Sequence, residues 1–188
     1  EEKAKRKGND MILYDKDAVL FPQKINGKFV MLHRLEPDIQ IVYFDKFEDL
    51  GKRKFWLDYI RNIDNYVLMK PKFEWEHEKI GAGATPIKTK KGWLLLYHGV
   101  NMKNGKQYNA GAALLDLKNP QKVITRMKTP LFKPEFEWEL NGIVNNVVFP
   151  EGAVKQNKNL NVFYGCADSR IGMARFDFRN LMDNLAVA

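Results

Sequence analysis

The chain has 188 residues, 45% apolar and 12% aromatic, enough to build a buried core in one ordinary domain. The formal net charge of +8 suggests an anionic partner, but the positive residues are spread along the chain, which disfavours a nucleic-acid stripe. No apolar run is long enough for a membrane helix. A lone Cys166 excludes an internal disulfide, and His33, His77, His98 and Cys166 lack zinc-type spacing, so no metal is expected.

In chain order, residues 1–14 open with a short basic run (Lys3, Lys5, Arg6, Lys7) diluted by Glu1, Glu2 and Asp10. They are expected to be a flexible or linker segment with a solvated face. No secretory signal is visible at Glu1, and a single cysteine fits a reducing compartment, so a cytoplasmic setting is expected.

From residue 15 the chain repeats itself. The first copy reads AVLFPQKINGKFVMLHR and then IQIVYFDKFEDL; the second, GAGATPIKTKKGWLLLYHG and YNAGAALLDLKNP; the third, NNVVFPEGAVKQNKNLNVFYGCAD and RIGMARFDFRNL. Pro22, Pro86 and Pro150 are spaced 64 residues apart. Each proline is followed by an apolar strand, a polar turn and a second apolar strand. The turns are Asn26-Gly27, Lys90-Lys91-Gly92 and Asn157 to Asn159. Asn-Gly is a strong hairpin signal because both residues tolerate positive φ. The next strand of each copy ends at Asp45, Asp116 or Asp177.

Such a period, with short strands and almost no helical pattern, predicts an all-β protein made of β-propeller blades. The units run over about 15–66, 67–127 and 128–188. Propellers close with about four to eight blades. Three blades therefore predict a fragment, or a homo-oligomer that covers its open edges. A compact three-sheet β fold is the alternative. Between the copies, Phe-Glu-Trp-Glu occurs at Phe73 and again at Phe136, and Trp75 and Trp138 are expected to be aromatic plugs between blades.

Candidate chemistry centres on the stretch from Trp75 to Val100. Gly81, Ala82 and Gly83 let backbone approach a ligand, with Lys79 before them and His98 at the end of the next strand. Read alone, Lys79 is equally a solvated charge and His98 a satisfied strand-end histidine. Aligning the copies adds more. His33-Arg34, His98 and Asp168 fall at matching strand ends, and Lys16-Asp17, Lys79 and Asn145-Asn146 at matching turns. If these converge, Lys16, Arg34, Lys79 and His98 form a cationic cluster facing Asp168. Arginine with lysine suits phosphate, and a carboxylate beside tyrosines suits sugar hydroxyls. The plain alternative is a set of channel residues satisfied by water.

These motifs resemble glycoside hydrolase family 130. The resemblance is carried by KDAVLFPQKINGKFVMLHR, KIGAGATPIKTKKGWLLLYHGV, YNAGAALLDL and NNVVFPEGAV with YGCADSRIGMA, and covers Asp15 to Leu181. It implies a five-bladed β-propeller of which this chain is the C-terminal three-fifths. It also implies an inverting phosphorylase that cleaves β-mannosides with inorganic phosphate, without further cofactor, to give α-mannose 1-phosphate. By resemblance, Arg34, Lys79 and His98 bind phosphate, with Lys16 at a position that varies, and Asp168 and Tyr108 hold the mannosyl unit. The family's general acid lies in a Glu-Asp-Pro-Arg motif that does not occur here, so the chain alone is expected to lack its catalytic residue. Asp17 and Asp168 are not its equivalents. Ala84-Thr85 and Asn109 depart from the family's common prolines and arginine, which bears on the acceptor sugar. A β-mannosidase using water and a non-catalytic carbohydrate-binding fragment are the alternatives.

Overall fold

The structure, a computed structural model, describes residues 4–7, 10–103 and 105–186. The expected flexible segment at 1–14 falls partly outside these residues. Within it, β1 (Ala4–Lys7) pairs antiparallel with β2 (Asp10–Leu13) as a two-stranded ribbon.

The remainder forms three antiparallel sheets, in the order the repeats lead one to expect. The first is a meander of β3 (Asp15–Leu20), β4 (Phe29–Leu35), β5 (Ile39–Phe44) and β6 (Val67–Met69). Between its last two strands the chain detours through helix α1 (Arg53–Arg61). This sheet extends past residue 66, where the first unit was expected to end, because Ile39 and Gln40 pair with Met69 and Val67. In the second sheet, β7 (Lys79–Ala82) and β8 (Ile87–Lys88) both pair with β9 (Trp93–Asn101), which pairs with β10 (Gln107–Leu115) and then β11 (Val123–Arg126). After the short helix α2 (Glu137–Leu140), the third sheet joins β12 (Val148–Gln156), β13 (Asn159–Cys166) and β14 (Arg170–Asp177). Helix α3 (Phe178–Ala186) follows directly.

Local chemistry fixes the turns. Asn26 (φ 51°) and Gly27 (φ 83°) make the first hairpin, closed by mutual hydrogen bonds between Ile25 and Lys28. The Thr89 hydroxyl accepts from the Lys91 and Gly92 amides to hold the second, and Asn157 (φ 54°) turns the third. Asp116 Oδ1 accepts from the amides of Lys118 and Asn119, while Asp177 Oδ1 accepts from Asn180 N at the start of α3. The first strand of each of these three sheets is interrupted. β3 is irregular between Lys16 and Val19, the second sheet's first strand breaks between β7 and β8, and β12 is irregular between Pro150 and Gly152.

β9 shows how the sheets stack. Its apolar run WLLLY is continuous because both faces are buried. Trp93, Leu95 and Tyr97 pack with Leu32, Ile41 and Ile80 towards the first sheet. Leu94 and Leu96 pack with Leu160, Val162 and α3 (Leu181, Met182, Leu185) towards the third. Full burial of each such side chain is worth roughly 1.5–3 kcal/mol. The third sheet differs on its far side: Val154, Phe163, Ile171 and Met173 share one face and are all exposed.

The two Phe-Glu-Trp-Glu tracts fold alike but bury different residues. Each makes a short helical turn in which the second glutamate turns back: Glu76 Oε1 accepts from Phe73 N (3.0 Å), and Glu139 Oε2 from Phe136 N (3.1 Å). Trp75 is buried and donates to Lys128 O, as expected of a plug. Trp138 is not a plug. It is 43% exposed and stacks on Phe136 at the surface. The indole of Trp75 fits because Gly99 and Gly111 leave it room, and a Cβ at Gly99 would come within 2.7 Å of that ring.

Candidate anion and sugar site

The site forms where β3, β4, β7 and β9 meet. The backbone of β7 is tied to the first sheet by Ile80 N, which donates to Pro37 O (3.0 Å). Arg34, near the end of β4, reaches towards the second sheet and is almost fully buried. Its Nη1 donates to His98 Nε2 (2.9 Å) and lies 2.9 Å from Asp17 Oδ2. Asp17 sits in the irregularity of β3 with φ 57°, a conformation that aspartate tolerates better than most residues. That backbone aims its carboxylate inward, where His98 Nε2 also lies 3.6 Å away. Gly81 faces His98 across the β7–β9 pair. A Cβ there would collide with Asp17 Oδ2 and come within 2.7 Å of His98 Nε2, so the cluster depends on a glycine at this position.

Lys79 Nζ donates to Glu36 Oε1 (2.6 Å), and the same oxygen lies 3.5 Å from Arg34 Nη2. Lys16 pairs with Arg34 across β3 and β4 and is exposed. Its charge reaches both Asp17 and Glu36. The structure therefore brings Arg34, Lys79 and His98 together, with Lys16 at the rim.

Electrostatics follow from burial. Desolvation raises the Asp17 carboxyl above its ordinary value, although Arg34, Lys16 and Lys79 pull it down. Desolvation also acts on Glu36, but its bond to Lys79 and the charges of Lys79, Arg34 and Lys16 outweigh it and hold that carboxyl low. His98 is pushed well below its ordinary value, first by complete burial and then by Arg34 and Lys79. It is therefore neutral at physiological pH. Guanidinium has only donors, so His98 Nε2 accepts and the ring proton sits on Nδ1. That Nδ1 has no partner among the described residues.

Tyr108 and Asp168 line one small cavity of about 100 Å³ with Lys106, Val144, Val147 and Phe149. Asp168 reaches it from the tight turn after β13, where Ala167 (φ 47°) and Asp168 (φ 51°) are both left-handed. The Phe149 ring lies against His98, tilted by 31° with centroids 4.2 Å apart, and links the cavity to the cationic cluster.

His33 was aligned with the cluster through its neighbour Arg34, but successive strand residues face opposite ways. His33 points away and is bonded through both nitrogens, to Asp15 Oδ1 (2.8 Å) and to the Tyr59 hydroxyl (2.7 Å). Two members escaped sequence reasoning. Glu36 follows Arg34 by two residues, the same-face spacing of a strand, and that was its signal. Phe149, in the VVFPEG run, carried no signal beyond its aromatic character. Among the described residues, no three His, Cys, Asp or Glu side chains are placed to hold a metal, and no helix is long and apolar enough to cross a membrane.

The fold and site define a class: a mostly β-sheet protein in which cations from two sheets converge beside an aromatic-lined polar cavity. The chain belongs to glycoside hydrolase family 130, whose model, described as β-1,4-mannooligosaccharide phosphorylase, matches residues 3–186. It is 47% identical over 171 residues to a β-1,2-mannobiose phosphorylase of Thermoanaerobacter, covering 89% of this chain and 52% of that protein. A β-1,4-mannooligosaccharide phosphorylase of Ruminococcus albus is 37% identical, with 88% and 49% covered. Among solved structures, the β-1,2-mannobiose phosphorylase of Listeria innocua in complex with β-1,2-mannobiose superposes with a TM-score of 0.78 at 32% identity, covering 96% of this chain and 49% of that one. The chain spans about half the length of the curated relatives it matches.

Proposed function

We propose that this chain is the C-terminal part of an inverting glycoside phosphorylase that cleaves β-mannosides with inorganic phosphate to give α-mannose 1-phosphate. One observation carries the reading: a carboxylate oxygen of Glu36 already lies between Lys79 Nζ and Arg34 Nη2, where a phosphate oxygen would sit. Phosphate in that position is held by Arg34 and Lys79, with Lys16 at the rim. His98 fixes the Arg34 guanidinium by accepting from Nη1. Tyr108 and Asp168, with Phe149 as a stacking face, take the mannosyl ring in the adjoining cavity.

The reaction is a single displacement. A phosphate oxygen bonds to the anomeric carbon, the glycosidic C–O bond breaks on the opposite face, and the departing oxygen takes a proton from an acid outside these residues. Inversion follows from one displacement. The cationic pocket holds and orients the nucleophile, the contribution that favours phosphate over water. The three sheets act as blades of a five-bladed propeller, and the exposed apolar face of Val154, Phe163, Ile171 and Met173 suits a further sheet packed against it. The same face is the candidate surface for self-association.

The test follows mannose 1-phosphate from β-mannobiose, with and without phosphate, using this chain joined to the part of the relatives' length that it does not span. Phosphate-dependent mannose 1-phosphate is the expected product. Equal release of free mannose in water would replace phosphorolysis with hydrolysis. Mannoside binding without turnover would leave a carbohydrate-binding module.

A further inference from the structure

Glu36 does more than mark the oxyanion position. We propose that it is the site's built-in occupant and sets which anions enter, admitting dianions of the hydrogen-phosphate kind and refusing simple carboxylates. The inference rests on the anion site described above but concerns its selectivity.

The geometry is that of a side chain free to leave a rigid seat. Glu36 follows the last residue of β4, and its side chain is 42% exposed while its partner Lys79 is only 18% exposed. The backbone beside it is pinned. Leu35 N donates to Gln40 Oε1 (2.7 Å), Gln40 Nε2 donates back to Leu35 O (3.0 Å), and Pro37 O accepts from Ile80 N (3.0 Å). Exchange of the carboxylate for another anion therefore needs side-chain rotation and leaves the sheets in place. Arg34 stays fixed meanwhile, held by Asp17 and His98 on its Nη1 side and presenting Nη2 to the incoming anion.

Exchange decides the selectivity. An acetate or formate would replace one carboxylate by another and gain no charge, while Glu36 has the advantage of being tethered beside the cations. A phosphate brings close to two negative charges and three strong acceptor oxygens, enough to engage Lys79, Arg34 Nη2 and Lys16 together. The released Glu36 carboxylate then finds water at the rim. The low position of its carboxyl in the resting site agrees with this, since it is held there by the cations that the phosphate takes over.

Calorimetric titration of the chain with inorganic phosphate, sulfate and formate tests the assignment. The wild-type chain is expected to bind phosphate and sulfate and to show no formate binding. Glu36→Gln keeps the side-chain shape and removes the charge, so phosphate should bind roughly three- to tenfold tighter and formate binding should become measurable. A merely structural Glu36 would leave both the phosphate and the formate affinity unchanged. Weaker phosphate binding in Glu36→Gln, or continued refusal of formate, overturns the proposal. Arg34→Ala is the separate arm. Undiminished phosphate binding in that variant would remove the anion site itself, an outcome distinct from failure of Glu36 as its occupant.

Discussion

Two buried histidines, on adjacent sheets and both completely inaccessible, have opposite fates. His33 on β4 is closed. Its Nδ1 meets Asp15, its Nε2 meets the Tyr59 hydroxyl, and Tyr59 in turn donates to Ile41 O (3.2 Å). The rings of Trp56 and Tyr59 pack around it. His98 on β9 is open. One nitrogen accepts a hydrogen bond from Arg34, the other has no partner among the described residues, and its ring lies against Phe149 beside a cavity. Burial does not separate these two histidines; the completeness of their hydrogen bonding does. His33 ties α1 to the first sheet. His98 keeps a guanidinium aimed while remaining uncharged beside the anion site proposed above.

The sharpest way to break this comparison is to remove the closed residue. His33→Ala takes away one buried and one part-buried hydrogen bond, leaves the Tyr59 hydroxyl with Ile41 O as its partner and opens a cavity against Trp56, at an expected cost of about 3 kcal/mol. Denaturant unfolding should register that loss, and calorimetry on the folded fraction should give wild-type phosphate affinity. A loss of affinity without a loss of stability would place His33 in the site after all.

A smaller effect is expected at Gly81, the residue that gives His98 and Asp17 their space. Gly81→Ala introduces a methyl group into Asp17 and crowds His98. Overpacking of this kind typically costs about 1–3 kcal/mol. Because the displaced atoms are the ones that aim Arg34, phosphate binding should fall along with thermal stability. Wild-type values of both would mean that the β7–β9 pair yields easily and that the cluster is less constrained than its contacts imply.

These residues also show what a linear reading reaches. Hairpins, strand order and the Asp-capped turns were legible because each is decided within a few residues by Asn, Gly, Thr or Asp. Arg34, Lys79 and His98 were legible through the repeat, which sets equivalent strand ends side by side. Glu36 was not, because a carboxylate's partner is a tertiary fact: nothing in LHRLEP says that Lys79 lies across from it. The twin tracts at Phe73 and Phe136 make the same point. Locally they are alike, yet Trp75 finds a slot lined by Gly99 and Gly111, and Trp138 stays at the surface. Their buried glutamates differ as well. Glu76 pairs with the charge of Arg126 (2.6 Å), and Glu139 accepts from the neutral Tyr164 hydroxyl (2.6 Å). Those partners lie on strands 50 and 25 residues away.

The mildest and most specific expectation concerns acid. His98 titrates well below its ordinary value in the fold because burial, Arg34 and Lys79 all oppose its charge, whereas in the unfolded chain it titrates near 6.5. Between those two values the unfolded chain binds a proton that the folded chain refuses, so stability must fall as pH drops below about 6.5, by up to about 1.4 kcal/mol per pH unit. The contribution is fully present above that pH. Asp17, the acidic group facing the ring, works in the opposite direction: its raised carboxyl takes up a proton earlier when folded, and so offsets part of the loss at still lower pH. His98→Gln leaves an acceptor for Arg34 and removes the titrating ring. Thermal unfolding from neutral to mildly acidic pH should therefore show a steeper loss for wild type than for the variant, with His33 and His77 cancelling in the difference. Parallel curves would mean that His98 gains a proton as readily in the fold as outside it. A cation would then stand where the geometry requires a neutral acceptor.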